Sequence, residues 1–260
     1  MDQKSIIHYI ENNVLHIRLN RPDAYNSFNR PMALSMIKCL EDGKNKPEIR
    51  CIVIQGEGRA FCAGQDLKEV TSADSPGFKT IITEHYNPII KLIHEIPKPV
   101  IAAVNGVAAG AGANIALACD FVIAKSTASF IQAFVNIGLV PDSGGSYALP
   151  RIIGMARAKA LCMLGEKLSA ADAELIGLIY EAVPEAEFET KINQLSNKLV
   201  SLPIYSLGLI KNMLNQSHFN TLEEQLEVEV DSQLKASASD EYKEGVSSFL
   251  EKRKPIFKGK

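Results

Sequence analysis

Three turns rich in glycine and alanine hold the residues of this chain best suited to chemistry. They are residues 62–67 (CAGQDL), 109–114 (AGAGAN) and 141–146 (PDSGGS). Each lies where a short apolar run gives way to helical spacing. A strand that passes through such a turn into a helix leaves several backbone N–H groups without helical partners and aimed one way. Free N–H groups and the helix dipole together favour negative charge, and small side chains let a ligand reach the backbone itself. One turn of this kind says little. Three, the first two alike in backbone chemistry, favour a site built from main-chain donors that stabilise a developing oxyanion. The loss of one such donor costs on the order of 10²–10³ in rate. Close packing of a buried helix remains the other reading of the same small residues.

These turns need elements to position them. Residues 99–104 form a short β-branched apolar run that reads as a buried strand, and Asn105-Gly106 is a turn signal. Residues 114–119 read as a buried helix, and 51–55 (CIVIQ) and 120–124 (DFVIA) as further strands. Residues 6–10 and 14–19 alternate apolar and polar around Glu11-Asn12-Asn13, which predicts a β-hairpin. Residues 31–40 have helical spacing with Pro31 in the first turn. Residues 71–78 read as a loop, 80–95 as an amphipathic helix broken near Pro88, and 129–131 as an extended piece. Ser169 and Asp172 predict a capping box with the Asp as the returning acid. Segments 187–201, 204–216, 221–236 and 240–253 are all helical in spacing, and no internal repeat stands out. Strands with helices first and helices alone afterwards predict an α/β fold with a helical C-terminal part.

The totals exclude several classes. The 260 residues are 46% hydrophobic, enough for one large domain with a full core. A formal net charge of −2 without a long basic run argues against nucleic acid. No apolar run reaches membrane-spanning length, and residues 1–13 lack a signal-peptide core. The five cysteines, 39, 51, 62, 119 and 162, are odd in number and sit in apolar runs, as buried thiols of a reducing compartment do. Histidines 8, 16, 85, 94 and 218 show no ligand spacing, so no metal site is expected. A cytoplasmic protein is the resulting expectation.

The motifs FCAGQDL, PVIAAVNGVAAGAGANIALACD and GLVPDSGG resemble those of the crotonase, or enoyl-CoA hydratase/isomerase, superfamily. The similarity runs from about Ile6 to the chain's end. Within the family the text is most like the isomerases of the phenylacetate pathway that act on ring 1,2-epoxyphenylacetyl-CoA. The phrases that carry this are NSFN at 26–29, YNP at 86–88 and EGVSSFLEKRKPIFKGK at 244–260. The resemblance implies a crotonase-like spiral of ββα units over residues 1–195. A C-terminal helical region, 196–260, would cover the site and make a homotrimer or a dimer of trimers. It implies an acyl-CoA thioester substrate whose carbonyl oxygen is held by the N–H groups of Gln65, after Gly64, and Ala111, between Gly110 and Gly112. Ala24, Ala63, Asp66 and Leu67 match positions whose backbone groups contact CoA. Coenzyme A belongs to the substrate, and no other cofactor is implied.

Hydratases of the family use two glutamates to position and split water. Asn114 and Phe134 stand at those positions here, and neither takes a proton at neutral pH. Asp142 stands where the isomerase branch has its acid/base; the sequence alone also allows it as the N-cap of the next helix. Asn114 suits a hydrogen bond to substrate or a packing role. Phe134 and Tyr86 suit either the acyl wall or the core. Lys252, Arg253 and Lys254 suit CoA phosphates or a solvated helix end. The expected activity is isomerisation through a thioester enolate, by Δ3 to Δ2 double-bond migration or by rearrangement of the ring epoxide to an oxepin. The alternatives are a 2-enoyl-CoA hydratase and a non-catalytic acyl-CoA-binding protein.

Overall fold

A computed structural model describes residues 4–258. The first three residues of the N-terminal stretch and the last two of the 244–260 motif lie outside it. The chain begins with strands β1 (Ile6–Glu11) and β2 (Val14–Leu19) and helix α1 (Arg30–Asn45). Then come β3 (Cys51–Gly56), β4 (Ala60–Cys62) and the short helices α2 (Leu67–Thr71) and α3 (Gly77–Thr80). A π-helical turn, Ile81–Tyr86, leads into α4 (Asn87–Glu95). The centre is β5 (Val100–Val104), β6 (Val107–Ala109), α5 (Ala111–Leu117), β7 (Phe121–Lys125) and β8 (Ser129–Ile131). A 3-10 turn, Ala133–Ile137, precedes α6 (Gly145–Leu164), β9 (Lys167–Ser169), α7 (Ala170–Leu175) and β10 (Glu181–Val183). Four helices finish the chain: α8 (Phe188–Ser201), α9 (Ile204–Gln216), α10 (Leu222–Ser237) and α11 (Asp240–Leu250).

The strands fall into two sheets. The larger has the order β1-β2-β3-β5-β7-β10 and the smaller β4-β6-β8-β9. Successive ββα units place one strand in the large sheet and the next in the small one, as in β3-β4, β5-β6 and β7-β8. This is the expected spiral, with a repeat in structure where the sequence shows none. Every residue of β3 and β5 is buried, which is why β5 and the first four residues of β3 read as apolar runs. Ile52, Ile54, Val100, Ala102 and Val104 face the main core. Cys51, Val53, Ile101 and Ala103 face the other way, onto Phe188, Ile192 and Leu199 of α8.

The predicted β1–β2 hairpin is antiparallel in register Ile6 to Leu19. The remaining expectations shift at boundaries. The helix expected from 114 begins at Ala111, because Val107–Ala109 extends as a strand and Gly110 caps the helix. The break near Pro88 is spread over the π-turn. Pro88 supplies no N–H to the helical ladder, and Asn87 N–H bonds back to Ile82 O. At α7 the Ser169 hydroxyl accepts from Asp172 N–H, but the Asp172 carboxylate takes the Ser169 hydroxyl proton rather than reaching the backbone N–H of the cap. A reciprocal box forms instead at Thr221 and Glu224 of α10. The short strands β9 and β10 carry too few residues for a period and were legible only once paired.

The helical C-terminal part is fastened to the core at two points. Arg50 donates to the carbonyls of Val200 and Leu202 at 2.8 and 2.9 Å. Lys211 of α9 pairs with Asp120 at 2.8 Å and donates to Ile93 O at 2.7 Å. The residue 195/196 division expected from the sequence falls within α8, a helix whose apolar side covers the large sheet.

Candidate active site

Strands β4, β6 and β8 run parallel, so the turns that follow them leave the small sheet at one end. Ligands gather at the carboxyl ends of parallel strands for this reason. Here Ala63–Gln65, Gly110–Ala111 and Ala133–Phe134 meet around a cavity of about 230 Å³. Leu67, Val70, Phe78, Ile81, Tyr86, Ile137 and Leu139 supply apolar walls. Gln65, Asn136 and Asp142 supply the other polar side chains.

Two glycines make the approach of the turns possible. Gly64 has φ +93°, and a methyl group built on it would sit 3.0 Å from Ala109 O and 3.5 Å from the Ala111 nitrogen. A methyl on Gly112 would press on Cys62, 2.7 Å from both Cβ and Sγ. At Gly64 the turn therefore packs on the backbone of the 109–111 turn, and at Gly112 the helix packs on both the backbone and the side chain of Cys62. Phe28 N–H donates to Gly64 O and Asp66 N–H to Phe28 O, a parallel bridge that turns the intervening Gln65 N–H away from Phe28. Ala111 N–H opens the first turn of α5. Neither amide has a protein acceptor among the described residues. Both residues border the cavity.

Asp142 borders the same cavity. It is not the helix cap: Gly144 holds that position in α6, without a side-chain cap. Its Oδ1 accepts the Ser143 hydroxyl at 2.8 Å, and burial raises its carboxyl above the ordinary carboxylate range despite that bond. Ser143 and Gly144 both have positive φ, +49° and +74°, so the loop turns sharply to present the acid. Among the described residues, Asp142 is the only carboxylic acid bordering the cavity.

The other expected residues divide. Phe134 is buried against Gly110 and walls the cavity, and Ala63, Gly64, Leu67 and Gly110 border it. Tyr86 also borders it and donates to Gln65 Oε1 at 2.9 Å. Burial keeps that phenol neutral, well above its usual range. Gln65 Nε2 in turn donates to Glu69 Oε2 at 2.9 Å, and Glu69 Oε1 accepts Arg30 N–H at 2.8 Å. Four expected residues stand back from the cavity. Ala24 lies in the Pro22–Ala24 turn, against the chain that leads to Ala63. Asp66 caps α2 and pairs with Arg21 at 2.7 Å. Gly112 packs on Cys62. Asn114 is buried behind the Asp142 loop and touches its backbone rather than the cavity. Asn136, Ile137, Leu139, Ser143 and Gln132 were not singled out from the sequence. Arg253 of the basic C-terminal cluster is held by Glu244 and Glu251. Among the described residues no group of three His, Cys, Asp or Glu side chains is arranged to hold a metal ion, and no helix is long and apolar enough to cross a membrane.

Comparison with known proteins agrees with this geometry. The family model described as Enoyl-CoA hydratase/isomerase matches residues 9–260. The 1,2-epoxyphenylacetyl-CoA isomerase of Escherichia coli K12 is 44% identical over 258 residues, 98% of each chain. The trans-2-decenoyl-(acyl-carrier-protein) isomerase of Streptococcus mutans UA159 is 37% identical over 263 residues, 100% of each chain. Among solved structures, an enoyl-CoA hydratase from Polaromonas sp. JS666 superimposes with a TM-score of 0.90 at 34% identity, covering 97% of this chain and 99% of that one. With a family model matching nearly its whole length and its spiral of ββα units, the chain belongs to the enoyl-CoA hydratase/isomerase family and has the crotonase fold.

Proposed function

We propose that this protein is an acyl-CoA isomerase that works through a thioester enolate, with Asp142 moving the proton. The supporting observation is a cavity that brings one carboxylate together with two free backbone N–H groups. In this reading Gln65 and Ala111 donate to the thioester oxygen. The Asp142 carboxylate removes a proton from the carbon beside the thioester. The C–H electron pair becomes the enolate double bond, and charge gathers on the held oxygen. Return of the same proton two carbons further along leaves the double bond at Δ2. The atoms balance with no redox step, so nothing beyond the CoA of the substrate is required. Hydration is disfavoured because the two positions that would carry water-splitting acids hold Asn114 and Phe134.

The likeness to the Escherichia coli enzyme and the aromatic and apolar cavity walls support 2-(1,2-epoxy-1,2-dihydrophenyl)acetyl-CoA as one substrate, rearranged to the oxepin thioester. Purified protein assayed with that epoxide, with 3-enoyl-CoA and with crotonyl-CoA decides the matter. Turnover of either of the first two and slow hydration of the third is the expected result. Hydration as the fastest reaction would replace the isomerase with the hydratase.

The pH dependence has a definite sign. A base acts as its anion, and burial raises the Asp142 carboxyl. Isomerisation should therefore fall as pH drops through a point above the ordinary carboxylate range. An acid limb at or below that range in the kcat profile would contradict the assignment.

Self-association is proposed as well, with the helical region that follows Ser201 as its main element. Leu222, Leu226, Val230 and Leu234 recur every fourth residue on α10 and are all exposed, as are Met155 and Met163 on α6. Sedimentation should give a trimer or a dimer of trimers; a stable monomer at micromolar concentration would refute this. The buried free cysteines favour a cytoplasmic setting.

A further inference from the structure

Asn114 lies one turn along α5 from Ala111, and its own N–H donates to Gly110 O at 3.1 Å. The residue is 2% exposed and is not among those that border the substrate cavity. Nδ2 donates to the backbone carbonyl of Asp142 at 2.8 Å. Oδ1 accepts from Gln132 Nε2 at 2.9 Å, and Gln132 is itself buried directly after β8. A carbonyl can only accept, so the amide has one orientation, and Gln132 holds it there by donating to the other end. The Asp142 carbonyl has a second donor, Gly145 N–H at 2.9 Å, but Gly145 is the first residue of α6, so that bond ties the loop to the helix that follows it and not to α5. The loop needs such an anchor. Ser143 takes φ +49°, the left-handed region that residues with side chains adopt only at a cost.

We propose that Asn114 is a positioning residue, a strut oriented by Gln132, that ties the loop carrying Asp142 to the helix carrying the Ala111 donor. One helix thereby sets the spacing between the group that holds the oxyanion and the group that moves the proton. The inference rests on Asp142 being the base, as proposed above. Gln132, directly after β8, holds Asn114, and Asn114 on α5 holds the loop, so the strut runs from the end of the small sheet through the helix to Asp142.

The test is a set of variants assayed for 3-enoyl-CoA isomerisation: Asn114→Ala, Gln132→Met, Asp142→Asn and the double variant Asn114→Ala/Asp142→Asn. A misplacement of about 1 Å costs up to roughly 10²-fold. Asn114→Ala should therefore lower kcat about 10–100-fold with KM nearly unchanged, and Gln132→Met should lower it in the same sense by less. A loosened loop exposes Asp142 to water, so the acid limb of the kcat profile should move to lower pH in both single variants. Lost stability alone would not produce that shift. In the double variant Asn114→Ala should add nothing to the loss from Asp142→Asn, since a strut acts only through the group it holds. An additive loss would overturn the proposal, as would an unmoved acid limb in both single variants. If Asn114→Ala does not fold, Gln132→Met with its pH profile decides alone. Full activity in Asp142→Asn would remove the base, and the strut with it. An inactive Asp142→Asn beside a fully active Asn114→Ala would remove the strut alone.

Discussion

Asp142→Asn is expected to lower kcat for 3-enoyl-CoA isomerisation by about 10²–10⁴, the usual worth of a positioned base. The substitution keeps the size of the side chain and an oxygen for the Ser143 hydroxyl, so the loop has no reason to rearrange. Thioester binding, read by thermal stabilisation with an unreactive acyl-CoA, should survive, because the amides that grip the carbonyl are untouched. Stability carries an independent signature. A buried acid whose folded pKa is raised contributes stability below its unfolded pKa, and that contribution disappears as pH rises through the folded value. At neutral pH the native protein holds a charge it would sooner shed. The Asn variant should thus melt at or above the native temperature at pH 7, and the difference should shrink or reverse in acid. Wild-type turnover with intact binding would eliminate Asp142 from the chemistry.

The second large effect comes from a backbone atom. Ala111 is the first residue of α5, a position where proline is tolerated because its N–H has no helical partner and its φ already suits a helix. Gly110 before it has no Cβ to clash with the proline ring. Ala111→Pro therefore deletes one oxyanion donor and leaves the helix standing. The expected loss is about 10²–10³ in kcat, with the circular dichroism spectrum and melting temperature close to native. A folded Ala111→Pro variant that isomerises at the native rate would mean that the Ala111 amide does not hold the developing charge. Ala111→Pro and Asp142→Asn strike different halves of the site: one should lose transition-state stabilisation without moving the acid limb, the other should lose the limb itself.

Much of this was readable in the linear chain. Unbroken apolar runs at 51–54 and 100–104 mark buried strands because both of their faces must be covered. Glycine at 64 and 112 marks turns packed so closely on a neighbouring segment that a methyl group there would be crowded, and glycine at 110 takes a positive φ. Asp142 stood out by its motif. The neighbourhood of Asn114 did not. Its type permits a bond to substrate as readily as a bond to protein, and only the path of the 141–146 loop shows which partner it has.

What the residue order determined here is local chemistry: where strands and helices lie, where small residues free the main chain, and which position carries a carboxyl rather than an amide or a phenyl ring. Hydrogen-bonding capacity and turn preference belong to a residue and its near neighbours, so they survive in one dimension. What the tertiary structure decided is which of these groups share a space. The parallel pairing of β4, β6 and β8 brings three distant turns to one end of a sheet, and packing around the Asp142 loop puts Asp142 at the cavity while Asn114 and Asp66 stand back from it. Such placements depend on contacts between segments tens of residues apart, and no short window of sequence contains them.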